Sequence, residues 1–251
     1  EMLPVACELF NTYWDMSMAM GERIGSWGDD EPTYYISSTT SVKPKLNSGH
    51  LRVLSPDGEE KEHFTPEEFE QRIQFEQTDY SYAGKTSYQG QILRANSLAR
   101  INITSSFGTP IADGYLERFR NNFGSPAHAI MLFDLCRGIE LVYAMERTIE
   151  LLSEDLSSGE TVVGYEVRDG TGYGLVEAPR GPLIHRYVVE NGVISDAQFI
   201  IPTVHNMHAI ERALMVAGNR YIHPEGINLE LEKAVGRVVR AFDPCIACAT
   251  Q

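Results

Sequence analysis

Residues 126–152 read PAHAIMLFDLCRGIELVYAMERTIELL, and no proline follows Pro126 in this stretch. Apolar side chains recur near helical spacing, which predicts one long helix that is buried on much of its surface. Cys136 lies among them and is interpreted as a small core residue, as is the solitary Cys7. The apolar positions are Ile130, Phe133, Leu135, Ile139, Leu141, Val142, Met145, Ile149 and Leu152.

Toward the amino end, Met2 to Ile24 has a broad apolar face and predicts a second helix. Short β pieces are expected at Thr33–Ile36 and Leu51–Leu54. Thr65 is followed by proline and, three residues later, by glutamate, which predicts a capped helix start. Tyr80 to Gly90 alternates tyrosines with small polar residues and is predicted to be an extended loop.

Toward the carboxyl end the pattern changes to β strands and then returns to helices. Asn191-Gly192 between two apolar runs predicts a two-residue hairpin turn. The chain is therefore predicted to be one α+β catalytic domain fragment over residues 1–251, with a core bundle of long helices and small peripheral antiparallel sheets and hairpins. The predicted strands are Val162–Val167, Gly172–Val176, Ile184–Val189 and Val193–Ile201, and the predicted helices are Ala209–Ala217 and Leu229–Arg240.

The formal charge of the 251 residues is -14, which disfavours phosphate backbones and anionic lipid surfaces as partners. No run approaches the roughly 18 apolar residues of a membrane span, and the start lacks the layout of a secretory signal, so a cytoplasmic protein is expected. The first residue is glutamate, which suggests that the chain begins partway through a longer product.

The spacing of two cysteines near the end, Cys245-Ile246-Ala247-Cys248, points to chemistry. Such a pair binds one soft metal or forms a redox-active dithiol. A structural zinc site needs four ligands, and no second such pair is present. Thioredoxin-type exchange is disfavoured because the pair is far from the amino end of its domain. Zinc completed by histidine stays open as an alternative, and the histidines concerned are His185, His205, His208 and His223.

Three motifs, in order, carry a family resemblance. They are Glu177-Ala178-Pro179-Arg180-Gly181, then Pro202-Thr203-x-x-Asn206, then Asp243-Pro244-Cys245-x-x-Cys248. Together they resemble the E-A-P-R-G, P-T-x-x-N and D-P-C-x-x-C motifs of nickel-iron hydrogenase large subunits. Leu98-Ala99-Arg100-Ile101-Asn102 is similar to an L-A-R-x-N element of the cytosolic branch that serves pyridine nucleotide or deazaflavin partners.

The resemblance implies an enzyme that reversibly oxidises dihydrogen at a nickel-iron centre with diatomic ligands on iron. It implies that Cys245 is a terminal nickel ligand and that Cys248 bridges nickel and iron. Soft thiolates suit a nickel ion that changes oxidation state. By the same resemblance Arg180 lies over the centre, where a fixed cationic fork polarises a bound species, and Asp243 orients it. The alternatives are a solvated surface arginine and an aspartate that only forms a turn.

The resemblance also places Pro179, Pro202 and Thr203 beside the centre, with the Thr203 hydroxyl donating to a cyanide nitrogen. Thr203 as the N-cap of the next helix is the alternative, and both roles are compatible. Glu177 and His185 are weaker candidates because such residues beside strands are more often structural.

Two departures from the family pattern limit the ligand set. The family has another Cys-x-x-Cys near its amino end, whereas Cys7 stands alone, so two ligands are expected from an amino-terminal portion that this chain lacks. The family usually ends in histidine or arginine beside a metal, commonly magnesium, whereas this chain ends in Gln251.

Partners follow from the cysteine count. Four cysteines are too few for a relay, because each iron-sulfur cluster needs about four thiolates. We therefore expect an iron-sulfur small subunit, together with diaphorase-type or other electron-acceptor subunits, besides the missing amino-terminal portion. Two other functions stay open: a metal-free relative of the same fold with a structural or quinone-associated role, and a zinc-stabilised binding module.

Overall fold

A computed structural model describes residues 2–39, 44, 46–47, 49–155 and 159–250. The helices are α1 (Met2–Met20), α2 (Arg23–Ser26), α3 (Phe69–Arg72), α4 (Ser97–Ile103), α5 (Pro110–Phe123), α6 (Phe133–Leu152), α7 (Met207–Tyr221), α8 (Leu229–Phe242) and α9 (Ile246–Ala249). The strands are β1 (Tyr34–Ser37), β2 (Leu51–Leu54), β3 (Glu60–Phe64), β4 (Gln74–Thr78), β5 (Ser81–Tyr88), β6 (Gln91–Arg94), β7 (Gly170–Ala178), β8 (Gly181–Glu190) and β9 (Val193–Ile200). Within these ranges, none of the helices combines the length and apolarity needed to cross a bilayer.

Helix α6 lies at the centre of the helical core and packs against α1, α4, α5 and α8. Its close approach to α1 depends on Gly138, because a Cβ there would lie 3.2 Å from the Phe10 ring. Phe10, Phe133 and Ile139 have no solvent exposure, so the helices bury a continuous apolar interior. Burial of each such side chain contributes about 1.5–3 kcal/mol to folding.

Two sheets lie beside the helices. The larger has the strand order β3-β2-β1-β6-β5-β4, in which β1 and β6 are parallel and all other neighbours are antiparallel. The smaller is the meander β7-β8-β9. A second apolar cluster, which includes Ile36, Leu93, Ile184 and Ile200, packs one sheet on the other. This contact fixes the β7-β8 hairpin relative to the helices.

A buried ion network joins the large sheet to α7. The Asp29 carboxylate accepts from Arg94 Nη2 at 2.7 Å and from Arg212 Nε at 2.8 Å, and the Asp29 and Arg94 side chains are fully buried. Removing one partner of such a network leaves an uncompensated buried charge, which is strongly destabilising. The network therefore holds the segment between α2 and β1 together with β6 and α7.

The predicted α+β class and the long helix after Pro126 are confirmed. Helix α1 is also confirmed, although it stops at Met20 because Gly21 adopts a left-handed φ of +52°. The hairpin turn is confirmed: Asn191 and Gly192 have φ values of +54° and +76°, and the Asp169 carboxylate accepts from both of their N–H groups. Thr65 and Glu68 form the predicted capping box.

Two predictions of secondary structure are wrong, one of a loop and one of a strand. The stretch predicted to be a loop contains β5, whose polar Lys85 and Thr86 are buried because Glu211 and His205 bind them from far along the chain. The run Val162–Val167 is not a strand; its apolar side chains are exposed and it pairs with no strand in the part of the chain that the structure describes.

Candidate metal centre

The cysteine pair follows the carboxyl end of α8. Asp243 adopts a left-handed φ of +47° and ends this helix, and Pro244 cannot continue it. The Cys245 N–H then donates to Thr203 Oγ1 at 3.1 Å. This bond docks the tail on the 3₁₀ turn Pro202–Asn206 that precedes α7.

Cys245 and Cys248 lie side by side, with their Cα atoms 5.3 Å apart, and their sulfurs are joined as a disulfide. Neither sulfur is a thiolate in this state, so binding of a metal by the pair requires its reduction. Sulfurs that can bond to each other are close enough to bind one soft metal after reduction. The donor set therefore fits two of the thiolates of a nickel-iron centre. No cluster of three or more His, Cys, Asp or Glu side chains suited to a metal occurs within the described ranges.

Arg180 and Asp243 are in contact, as the sequence predicts. Arg180 Nη2 lies 2.9 Å from Asp243 Oδ2, and Arg180 Nε also donates to the Asp243 carbonyl. Because Asp243 is two residues before Cys245, the pair holds a cationic fork beside the cysteines. The Arg180 side chain is one-third exposed and that of Asp243 about half, so the contact adds little to stability. The contact instead fixes where the Arg180 guanidinium lies.

The other residues predicted to line the centre differ in exposure. Pro202 and Thr203 are buried, whereas Pro179 is exposed. Thr203 is not the N-cap that the alternative interpretation expected: Ile201 caps the 3₁₀ turn and Asn206 precedes α7. The Thr203 oxygen instead accepts from the tail, and a hydroxyl that accepts keeps its own hydrogen for donation. The roles of these three residues in binding a cofactor stay predictions.

The cysteines lie on an accessible face of this chain. Cys248 and Asp243 are exposed and Cys245 is partly exposed. Cys136, in contrast, is fully buried in the helical core, which confirms it as a core residue, and burial raises the pKa of its thiol well above the usual value. Gln251, which stands where the family usually has histidine or arginine beside its terminal metal, lies outside the described residues.

Two weaker candidates near Arg180, Glu177 and His185, have structural partners, and the interactions of Arg100 were not predicted from the sequence. Glu177 accepts from the Ser38 N–H and hydroxyl and from Arg100, so the structural interpretation of Glu177 is the better one. His185 bonds the Tyr187 hydroxyl and packs on Phe199, which is also structural. The L-A-R-x-N element drew attention to Arg100. Its role could not be predicted from that element, because its partners Glu140 and Glu177 lie 40 and 77 residues away in sequence.

His205 is fully buried between the Thr86 hydroxyl and the Pro182 carbonyl. Pro182 O only accepts, so His205 Nε2 carries the hydrogen and Nδ1 accepts from Thr86. Burial lowers the pKa of His205 to about 4, and the imidazole is neutral near pH 7.

The depressed pKa of His205 predicts a loss of stability in acid. The unfolded chain binds this proton below about pH 6.5, whereas the folded chain resists it until about pH 4. The free energy of unfolding therefore falls as pH falls from about 6.5 to about 4, by on the order of 3 kcal/mol from this group. Urea unfolding of His205→Gln at pH 7, 5.5 and 4.5 should show a shallower pH dependence than the parent chain. Equal slopes in the variant and the parent chain would contradict the assignment.

Comparison with known proteins agrees with the fold. The sequence profile of the nickel-dependent hydrogenases matches residues 41–251. The chain therefore belongs to the nickel-dependent hydrogenase family. It is 36% identical over 192 residues to a subunit of the F420-non-reducing hydrogenase vhu of Methanocaldococcus jannaschii, and the match covers 74% of this chain and 46% of that protein.

Two further relatives extend the comparison. The beta subunit of the NAD-reducing hydrogenase HoxS of Cupriavidus necator is 31% identical over 215 residues, with coverage of 80% of this chain and 44% of that one. The crystal structure of an NAD⁺-reducing [NiFe]-hydrogenase in the H₂-reduced state superposes over 100% of this chain and 59% of that chain, at 26% identity and a TM-score of 0.85. The chain thus spans about half the length of the curated relatives it matches.

Proposed function

We propose that this chain is part of a hydrogenase large subunit that reversibly oxidises dihydrogen to protons and electrons. The observation that carries the proposal is the placement of Arg180 against Asp243, next to the Cys245-Cys248 pair. Membership of the nickel-dependent hydrogenase family supports this chemistry, and the cysteine pair supplies thiolate donors that suit nickel.

Each residue near the pair has a distinct task in this proposal. Reduced Cys245 and Cys248 would hold a nickel-iron centre, which, when bound, supplies the redox chemistry of dihydrogen. Arg180 presents a planar guanidinium that stays charged and donates in fixed directions. Asp243 orients that guanidinium, and Thr203 fixes the backbone of Cys245. The diatomic ligands of iron, with Pro179, Pro202 and Thr203 beside them, belong to the same proposal.

Further residues of the large subunit are needed to complete this centre. The chain offers two adjacent sulfurs on an accessible face, and a redox metal requires a surrounding shell that controls solvent access. The other ligands, with their Cys-x-x-Cys, are assigned to an amino-terminal portion of the large subunit. Its existence is supported by the partial coverage of the relatives.

An exposed apolar stripe on α1 also fits contact with another polypeptide. Met2, Val5, Leu9, Tyr13 and Met16 follow one another at spacings of three or four residues and are each at least one-third exposed. This spacing places them along one face of the helix, and exposed apolar surface of this kind is typical of interaction sites.

Electron transfer is assigned to separate subunits. An iron-sulfur small subunit would receive the electrons, and a diaphorase-type subunit or another electron acceptor would pass them on. The relative named as NAD-reducing supports a nucleotide-coupled acceptor. A cytoplasmic location fits a chain whose four cysteines do not make a disulfide framework.

The function is tested by anaerobic purification of the chain with its co-expressed partner subunits, followed by assays of hydrogen-dependent viologen reduction and of nickel, iron and zinc content. We expect activity that depends on hydrogen, together with nickel and iron. A folded complex with neither metal and no activity would favour the metal-free relative, and zinc in place of nickel would favour the binding module. Either result would reject the proposed function.

A further inference from the structure

The loop that carries Arg180 is held by its backbone carbonyls. Four of them, at residues 178, 179, 180 and 182, accept hydrogen bonds from buried side chains. Arg100 donates to Ala178 O at 3.1 Å and to Pro179 O at 2.8 Å. Asn206 Nδ2 donates to Arg180 O at 3.3 Å, and His205 Nε2 to Pro182 O at 3.2 Å. We call Arg100, His205 and Asn206 the carbonyl clamp.

The clamp leaves the loop little room to move. Gly181 has a φ of +132°, which favours glycine, and a Cβ there would lie only 2.5 Å from Ala95 Cβ. The Ala95 N–H is itself bonded to Asn206 Oδ1 at 2.9 Å. The amide of Asn206 thus binds the loop on one side and the short link between β6 and α4 on the other.

Arg100 is the principal member of the clamp because all five of its N–H groups are used. Nε and one Nη2 hydrogen bind the two oxygens of Glu140, and one Nη1 hydrogen binds Glu177 at 2.9 Å. The remaining two bind the carbonyls of residues 178 and 179. A guanidinium presents five donors in one plane, and an ammonium presents only three from one nitrogen.

The Arg100 guanidinium stays charged despite its burial. Only 5% of the residue is exposed. Burial by itself would lower the pKa of Arg100, but Glu140 and Glu177 outweigh it and raise the pKa above the ordinary value. Because the charge is matched by these carboxylates, the two bonds to carbonyls are not needed to neutralise it. These two bonds instead fix the backbone of residues 178 and 179, which directly precede Arg180.

We propose that the carbonyl clamp, with Arg100 as its principal member, consists of positioning residues for Arg180. The clamp fixes the three peptide units around Arg180, so that its guanidinium lies against the Asp243 carboxylate beside Cys245. The clamp residues act on the reaction only through Arg180. This inference rests on the proposed function for its effect on turnover, although the geometry of the loop can be tested without it.

The test substitution is Arg100→Lys in the assembled complex. Lysine keeps a charge for the two carboxylates but cannot also bind both carbonyls. Arg120→Lys is the matched control, since Arg120 also donates to backbone carbonyls, those of Ile101, Thr104 and Ser105, and makes no bond to the Arg180 loop. A general effect of losing a guanidinium would appear in both variants.

Two readouts distinguish positioning from general support. We expect Arg100→Lys to lower kcat for hydrogen oxidation by about tenfold to a hundredfold, as misplacement of a positioned group does, with KM for dihydrogen changed by less than about twofold and nickel content unchanged. Arg120→Lys should keep kcat. In the Arg100→Lys/Arg180→Lys double variant, kcat should equal that of Arg180→Lys alone, because the clamp has no other route of action.

Hydrogen-deuterium exchange of the peptide that spans residues 176–183 tests the geometry independently of activity. Exchange should be faster in Arg100→Lys than in the parent complex and unchanged in Arg120→Lys. If Arg100→Lys fails to fold, Asn206→Ala, which removes the bond to the Arg180 carbonyl, serves in the same measurements with the same expectations.

Unchanged exchange, unchanged kcat, or a double variant in which the two losses multiply would overturn the clamp. A parent complex without hydrogen activity would reject the proposed function and its turnover predictions. The exchange measurement would still decide whether the clamp holds the loop.

Discussion

We expect Cys245→Ser and Cys248→Ser to yield a folded complex that contains no nickel and does not turn over dihydrogen. A serine hydroxyl stays protonated near neutral pH and is a hard oxygen donor, whereas the reduced cysteine supplies a soft anionic sulfur. Cys248 is exposed and Cys245 partly so, which means that neither substitution opens a cavity in the core. The loss should therefore be confined to the metal and its chemistry.

Metal analysis and hydrogen-dependent dye reduction on the same preparations measure this result. Cys7→Ser is the control, because Cys7 is partly buried on α1 and belongs to the helical core rather than to the tail. It should keep its nickel and most of its activity. Nickel content and turnover at the parent level in either tail variant would show that these sulfurs do not bind the metal.

The second large effect is expected for Arg180→Lys, which should keep nickel and iron and lose turnover by on the order of a hundredfold. The bonds to the Asp243 carboxylate and carbonyl need a fork of donors that an ammonium cannot reproduce. Loss of one fixed donor at a reacting centre commonly costs about 10²–10³ in rate. The partly exposed ion pair contributes at most about 1 kcal/mol to stability, so the variant should fold normally.

Arg186→Lys is the matched control for this prediction. Arg186 lies on β8, six positions further along, and pairs with Asp196 and Gln198 on the neighbouring strand. Steady-state rates and metal content should match the parent complex in this control. A rate for Arg180→Lys equal to the parent rate would reduce Arg180 to a structural residue.

Local signals predicted the parts of the fold whose stabilising contacts are near in sequence. The helix after Pro126 follows from its own apolar periodicity, and the β8-β9 hairpin follows from two residues that accept positive φ. Strand β5 could not be predicted in this way, because the carboxylate that pairs with the buried Lys85, that of Glu211, lies 126 residues away. The six-stranded sheet, with its parallel pair β1 and β6, likewise joins segments that are distant in sequence.

The residues of the candidate site likewise fall into those that the sequence predicted and those that it did not. The two cysteines, Arg180 and Asp243 were found through motifs that are continuous in sequence, and the structure brings Arg180 to Asp243 across 63 positions. The carbonyl clamp was not predicted, because its bonds end on backbone carbonyls, which carry no side-chain signature. Arg100 was noticed only as part of a motif, and its task depends on Glu140, Glu177 and a loop almost 80 residues away.

Nickel X-ray absorption of the reduced, assembled complex tests the central claim most directly, since it reports both the presence of nickel and the elements bound to it. We expect bound nickel with a coordination sphere rich in sulfur in the parent complex. A complex that lacks nickel, or nickel surrounded by nitrogen and oxygen alone, would contradict the assignment of Cys245 and Cys248 as its ligands.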